Sequence, residues 1–123
     1  MILKETIILR LLIINLFYIN LVLAQCEGNF TYFEELPNSV TILSGDQCFS
    51  YGDLDALNNM IVENSLDYVS PLEVGTQTWY NGKLRILVAG YYFGGVSSQL
   101  TVLPDNFGNL NDLRILYLER NSN

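Results

Sequence analysis

The sequence predicts an α/β fold: the start of a short solenoid of parallel strands, preceded by a disulfide-tied N-terminal cap containing one helix. Three observations lead there. Residues 113–121 read Leu-Arg-Ile-Leu-Tyr-Leu-Glu-Arg-Asn, and residues 84–92 repeat the leucine spacing 29 positions earlier. Between Ser50 and Asn64 the apolar residues recur with helical period. Cys26 and Cys48 both stand early, where a crosslink would tie a cap rather than the strands.

The chain has 123 residues, half of them hydrophobic, which allows one domain with a core. Residues 1–24 are read as a signal peptide: Lys4 and Arg10 lead, Leu11 to Leu23 is nearly all aliphatic, and Val22-Leu-Ala24 offers a cleavage site before Gln25. An uncleaved anchor is the rival, because Ile7 to Ala24 is about the minimum length of a span. Arg10, Asn15 and Asn20 interrupt that run and favour cleavage between Ala24 and Gln25. A lipoprotein signal needs a small residue before Cys26, and Gln25 stands there. The expected product is secreted, extracellular or at the cell surface, and meets a membrane only if residues 1–24 are retained. Residues 25–83 form the cap and residues 84–123 about two repeat turns.

Formal net charge is −7, and loss of residues 1–24 would leave four basic side chains (Lys83, Arg85, Arg114, Arg120) against twelve acidic ones. Such a surface repels phosphate backbones and excludes nucleic acid as a partner. In an exported chain Cys26 and Cys48 read as a disulfide closing a loop of just over twenty residues, a constraint of about 3 kcal/mol. The sequence has no histidine and no third cysteine, so no metal site is expected.

From Cys26 the text gives two short β-favouring runs, around Phe30–Phe33 and Val40–Leu43, separated by a turn at Pro37. They predict a small hairpin or an extended cap. Asn29-Phe-Thr31 is a formal N-glycosylation sequon, a triplet common by chance. A helix then starts at Ser50, whose hydroxyl suits an N-cap, with Asp53 where the helix dipole favours a carboxylate. Leu54, Leu57, Met60 and Ile61 share one face, and Asn64-Ser65 ends it. Trp79 is expected in the core rather than as a ligand platform. Asn81-Gly82 is a tight turn reversing the chain into the next strand.

Leu113, Leu116, Leu118 and Asn121 give L-x-x-L-x-L-x-x-N, one turn of a leucine-rich repeat. Upstream, Leu100, Leu103, Pro104, Phe107, Gly108, Asn109, Leu110 and Leu113 match L-x-G-x-(I/L)-P-x-x-(F/I/L)-G-N-L-x-x-L, departing at Val102. On these residues the C-terminal part resembles extracellular leucine-rich repeats of the plant type, also found in secreted bacterial proteins. Asp53-Leu-Asp-Ala-Leu57 resembles the start of the capping helix in that class, and Leu72-Glu-Val-Gly-Thr-Gln-Thr-Trp79, followed by Asn81-Gly-Lys-Leu84, the lead into its first repeat. Related proteins carry an acidic upstream loop that could hold calcium; Asn64 to Val69 lacks the alternating oxygen ligands, so none is expected. The turn at 84–92 is degenerate, with Ala89 in a leucine slot and Tyr92 in the asparagine slot, and its excess length falls in Gly90 to Gln99. The resemblance implies parallel strands with Leu87 beside Leu116.

Chemistry has little to work with. Without histidine there is no triad base, the carboxylates Glu34-Glu35 and Asp53/Asp55 read as solvated surface, and Gly90 to Gly95 lacks a phosphate-loop lysine. No enzyme activity and no cofactor are expected. Binding remains: the aligned strands would face outward with Ile86 by Ile115, Val88 by Tyr117, and Gly90 by Glu119, a strip for a protein partner. The same residues are also what any two-faced strand exposes. The alternative is a carbohydrate-binding or structural envelope protein using Tyr91, Tyr92 and Phe93. Because the text stops soon after Asn121, the sequence further predicts either a fragment of a longer surface protein, whose neighbouring repeats cover the last strand, or an assembly module.

Overall fold

A computed structural model describes residues 26–90 and 99–118. The chain enters through β1 (Phe30–Tyr32), β2 (Val40–Ser44) and β3 (Cys48–Ser50), then helix α1 (Tyr51–Glu63). A 3-10 turn at Pro71–Glu73 leads to β4 (Thr76–Tyr80) and β5 (Lys83–Val88); a second at Asp105–Asn109 precedes β6 (Ile115–Tyr117). β1 and β3 pair antiparallel as a two-stranded sheet, while the larger sheet runs β2-β4-β5-β6. No helix of the described residues is long and apolar enough to cross a membrane.

The leucine-rich-repeat solenoid of parallel strands expected from the sequence is not the architecture found. The four-stranded sheet is mixed: β2 pairs parallel with β4, β4 antiparallel with β5, and β5 parallel with β6. Connection length decides the direction at its centre. Asn81 and Gly82 both take positive φ, 49° and 78°, the conformation of a two-residue hairpin turn. A parallel partner needs a crossover of a dozen residues or more, so β5 returns antiparallel along β4. The parallel β2–β4 pair has such a crossover, through β3, α1 and the first 3-10 turn. The hairpin expected between the runs near 30 and 40 does not form either, because β1 takes β3 and β2 joins the other sheet.

One buried cluster joins the helix to the sheet. Leu54, Ala56, Leu57, Met60 and Ile61 of α1 share it with Trp79, Leu84 and Leu87 of the sheet, and with Phe49, Leu72, Val74, Leu100 and Leu110. Trp79 is fully buried, edge-on to Phe49 at 4.8 Å, which is in turn edge-on to Phe33 at 5.7 Å. Burying an indole leaves its N–H to be satisfied. The buried Gln77 does this, its Oε1 accepting from Trp79 Nε1 at 2.9 Å while its Nε2 donates to the carbonyls of Pro71 and Val74. Gly75, at φ +58°, lies so close to Val88 that a Cβ would run into that carbonyl oxygen.

The helix ends are tied by side chains. Ser50 stands at the N-cap but makes no capping hydrogen bond. Asp53, fully buried in the first turn, instead reaches β5: Oδ2 accepts from the Leu84 N–H at 2.8 Å and Oδ1 from Lys83 Nζ at 3.0 Å. At the other end Asn64 donates to the carbonyls of Met60 and Val102 and accepts from the N–H groups of Thr101 and Val102. Cys26 and Cys48 form a disulfide, anchoring the chain entering β1 to β3.

Candidate interaction surface

β-Strand geometry sorts the sheet residues by face. Gln77, Trp79, Leu84 and Leu87 point into the core and are buried. Their alternates, Thr76, Thr78, Tyr80, Ile86 and Val88, are half-buried or exposed. A bulge in the β4–β5 pairing places Thr78 opposite Ile86 and Trp79 opposite Leu84, leaving Arg85 as the extra residue. Its guanidinium lies 4.6 Å from the centre of the Tyr80 ring.

β6 continues these rows. Ile86 sits beside Ile115, Leu87 beside Leu116 and Val88 beside Tyr117, the parallel register that alignment of the two leucine phrases implies. Backbone bonds flank the pairing, from Arg114 N–H to the Arg85 carbonyl and from Ala89 N–H to the Tyr117 carbonyl, both 2.8 Å. Ile115 and Tyr117 remain 53% and 45% exposed. Among the described residues β6 is also the outermost strand of its sheet. The structure thus brings Ile86, Val88, Ile115 and Tyr117 into one apolar and aromatic strip. Glu119, the cleavage pair Ala24 and Gln25, and the aromatic cluster Tyr91, Tyr92 and Phe93 lie outside the described residues.

The carboxylates read as solvated surface divide in two. Asp53 is structural, as above, and Asp55 accepts from Asn106 Nδ2 at 3.1 Å; Glu34 and Glu35 are both exposed, in the loop between β1 and β2. Among the described residues no group of three or more His, Cys, Asp or Glu side chains is placed to hold a metal. Sequence reasoning passed over the Arg85–Tyr80 stack and the Asp53 clasp. The first depends on a bulge that no local signal announces, and the second on contacts 30 and 31 residues away.

Comparison of the chain with protein-family models, with curated proteins and with solved structures finds no match.

Proposed function

We propose that the chain is an exported recognition module that binds another protein through the outer rows of β5 and β6, without chemistry of its own. The observation that carries this reading is the exposure of Ile115 and Tyr117 in register with Ile86 and Val88 on an outermost strand. Aromatic and branched apolar side chains in register on two adjacent strands suit a protein segment laid along them. The disulfide is compatible with an extracellular setting. The likeness of residues 100–121 to leucine-rich repeats supports a recognition role and does not require solenoid architecture.

The test is selection of displayed random peptides on the oxidised full chain. Binding by the enriched peptides should fall at least about tenfold in Val88→Asp and Ile115→Asp, since a charge in the centre of a contact must be desolvated. Val62→Asp, on the exposed side of α1, should bind as the parent does. Peptides that bind all three variants equally would remove the outer rows as the site.

A further inference from the structure

Of all the asparagines in the sequence, only Asn29 is followed two residues on by a serine or threonine, in Asn29-Phe-Thr31, and no proline stands between. That triplet is the acceptor signal for an N-linked oligosaccharide in an exported chain. Chance supplies such triplets as readily inside a core as on a surface. Exposure is therefore the independent requirement, and the fold meets it.

Asn29 is exposed, in the turn that leads into β1, and Thr31 is exposed within that strand. The backbone there is fixed: the Asn29 carbonyl accepts from the Tyr51 N–H at 2.8 Å, and Phe30, Thr31 and Tyr32 pair with Ser50, Phe49 and Cys48. The Asn29 side chain is not committed in the same way. Asn64, Asn81 and Asn106 use their amide groups in bonds within the fold, to Val102, Ser44 and Asp55, whereas the Asn29 amide makes none among the described residues.

A sugar attached before the chain folds must still find room afterwards. At Gly28, next to the acceptor, a Cβ added to the backbone would meet nothing within 4 Å, so the space on that side is open. All three residues of β1 are exposed, and among the described residues β1 pairs with β3 alone. A bulky hydrated group beside such a strand edge also hinders its pairing with other chains.

We propose that Asn29 is the acceptor of one N-linked oligosaccharide, transferred as the chain is exported. This rests on the export part of the reading above and not on the outer rows of β5 and β6. The donor is an oligosaccharide joined through its anomeric carbon to a lipid diphosphate. Asn29 Nδ2 bonds to that carbon, the carbon–oxygen bond to the diphosphate breaks with its electron pair passing to the leaving group, and the amide gives up one proton. The Thr31 hydroxyl is what the transferase recognises, and it is unchanged by the reaction.

Expression of the full chain, with its own residues 1–24, in cultured mammalian cells tests this. The chain recovered from the medium should exceed the polypeptide mass by a single glycan. Digestion with peptide-N-glycosidase should remove the excess and leave a carboxyl at position 29 in the peptide map. Asn29→Gln and Thr31→Ala should each lose the mass shift entirely, while Thr31→Ser, which keeps the hydroxyl, should retain it. These changes fall on exposed side chains, so the fold is kept. A secreted chain at the bare polypeptide mass overturns the glycan and leaves the export reading standing. A shift that persists in Thr31→Ala overturns Asn29-Phe-Thr31 as its signal. A chain held unmodified inside the cells overturns both readings.

Discussion

The two Leu-Arg-Ile-Leu phrases lie side by side in one sheet and meet different fates. Leu87, in β5, is 0% exposed and belongs to the cluster with Trp79, Leu57 and Met60; Leu116, its in-register neighbour in β6, is 39% exposed. Leu84 is fully buried, whereas Leu113 only packs against the margin of the cluster. Local sequence is identical, so the difference comes from position: among the described residues β5 has strands on both sides and β6 on one. Burial, and with it stability, is a property of the neighbours.

The largest effect expected from this contrast is on stability. Leu87→Ala should cost about 2–5 kcal/mol, the range for removing a fully buried leucine, while Leu116→Ala should cost about 1 kcal/mol, because much of its surface is already wet. Urea titration of the two variants measures the gap. Equal losses would mean that β6 is packed as tightly as β5 and would end the comparison.

A smaller effect is expected at the clasp that makes β5 the better anchored strand. Asp53→Ala leaves the Leu84 N–H buried without an acceptor and Lys83 without its anion, at a cost of about 1–3 kcal/mol. Lys83→Met should cost less than Asp53→Ala, since the lysine side chain is 26% exposed and the carboxylate still serves the backbone. Denaturation midpoints that put the lysine change above the aspartate change would show that the ion pair, and not the backbone bond, is the anchor.

Local patterns foretold local structure well. The helical period from Leu54 to Ile61, the stop at Asn64-Ser65, the Asn81-Gly82 turn and the burial of Trp79 all appear where the residues placed them. So does the Cys26–Cys48 disulfide. The strand order was not legible. Nothing in Val40–Ser44 says that its partner is β4, across the intervening helix, rather than the run ten residues before it. Repeat spacing aligned β5 with β6 but carried no information about β4, whose antiparallel approach turns a solenoid start into a mixed sheet. The outer strip was readable because alternation along a strand is a local rule.

The smallest effect separates an exposed row from a packed one. Ile115→Thr keeps a β-branched side chain in the strand, so strand preference is preserved while apolar surface is removed. With Ile115 53% exposed, the unfolding free energy should stay within about 0.5 kcal/mol of the parent. Ile86, between β4 and β6 and half-buried, should lose more under the same change. If Ile115→Thr instead costs as much as Ile86→Thr in urea titration, the outermost row is already covered in the free chain. It would then support the fold, and a partner segment would have to displace that cover before reaching Ile115.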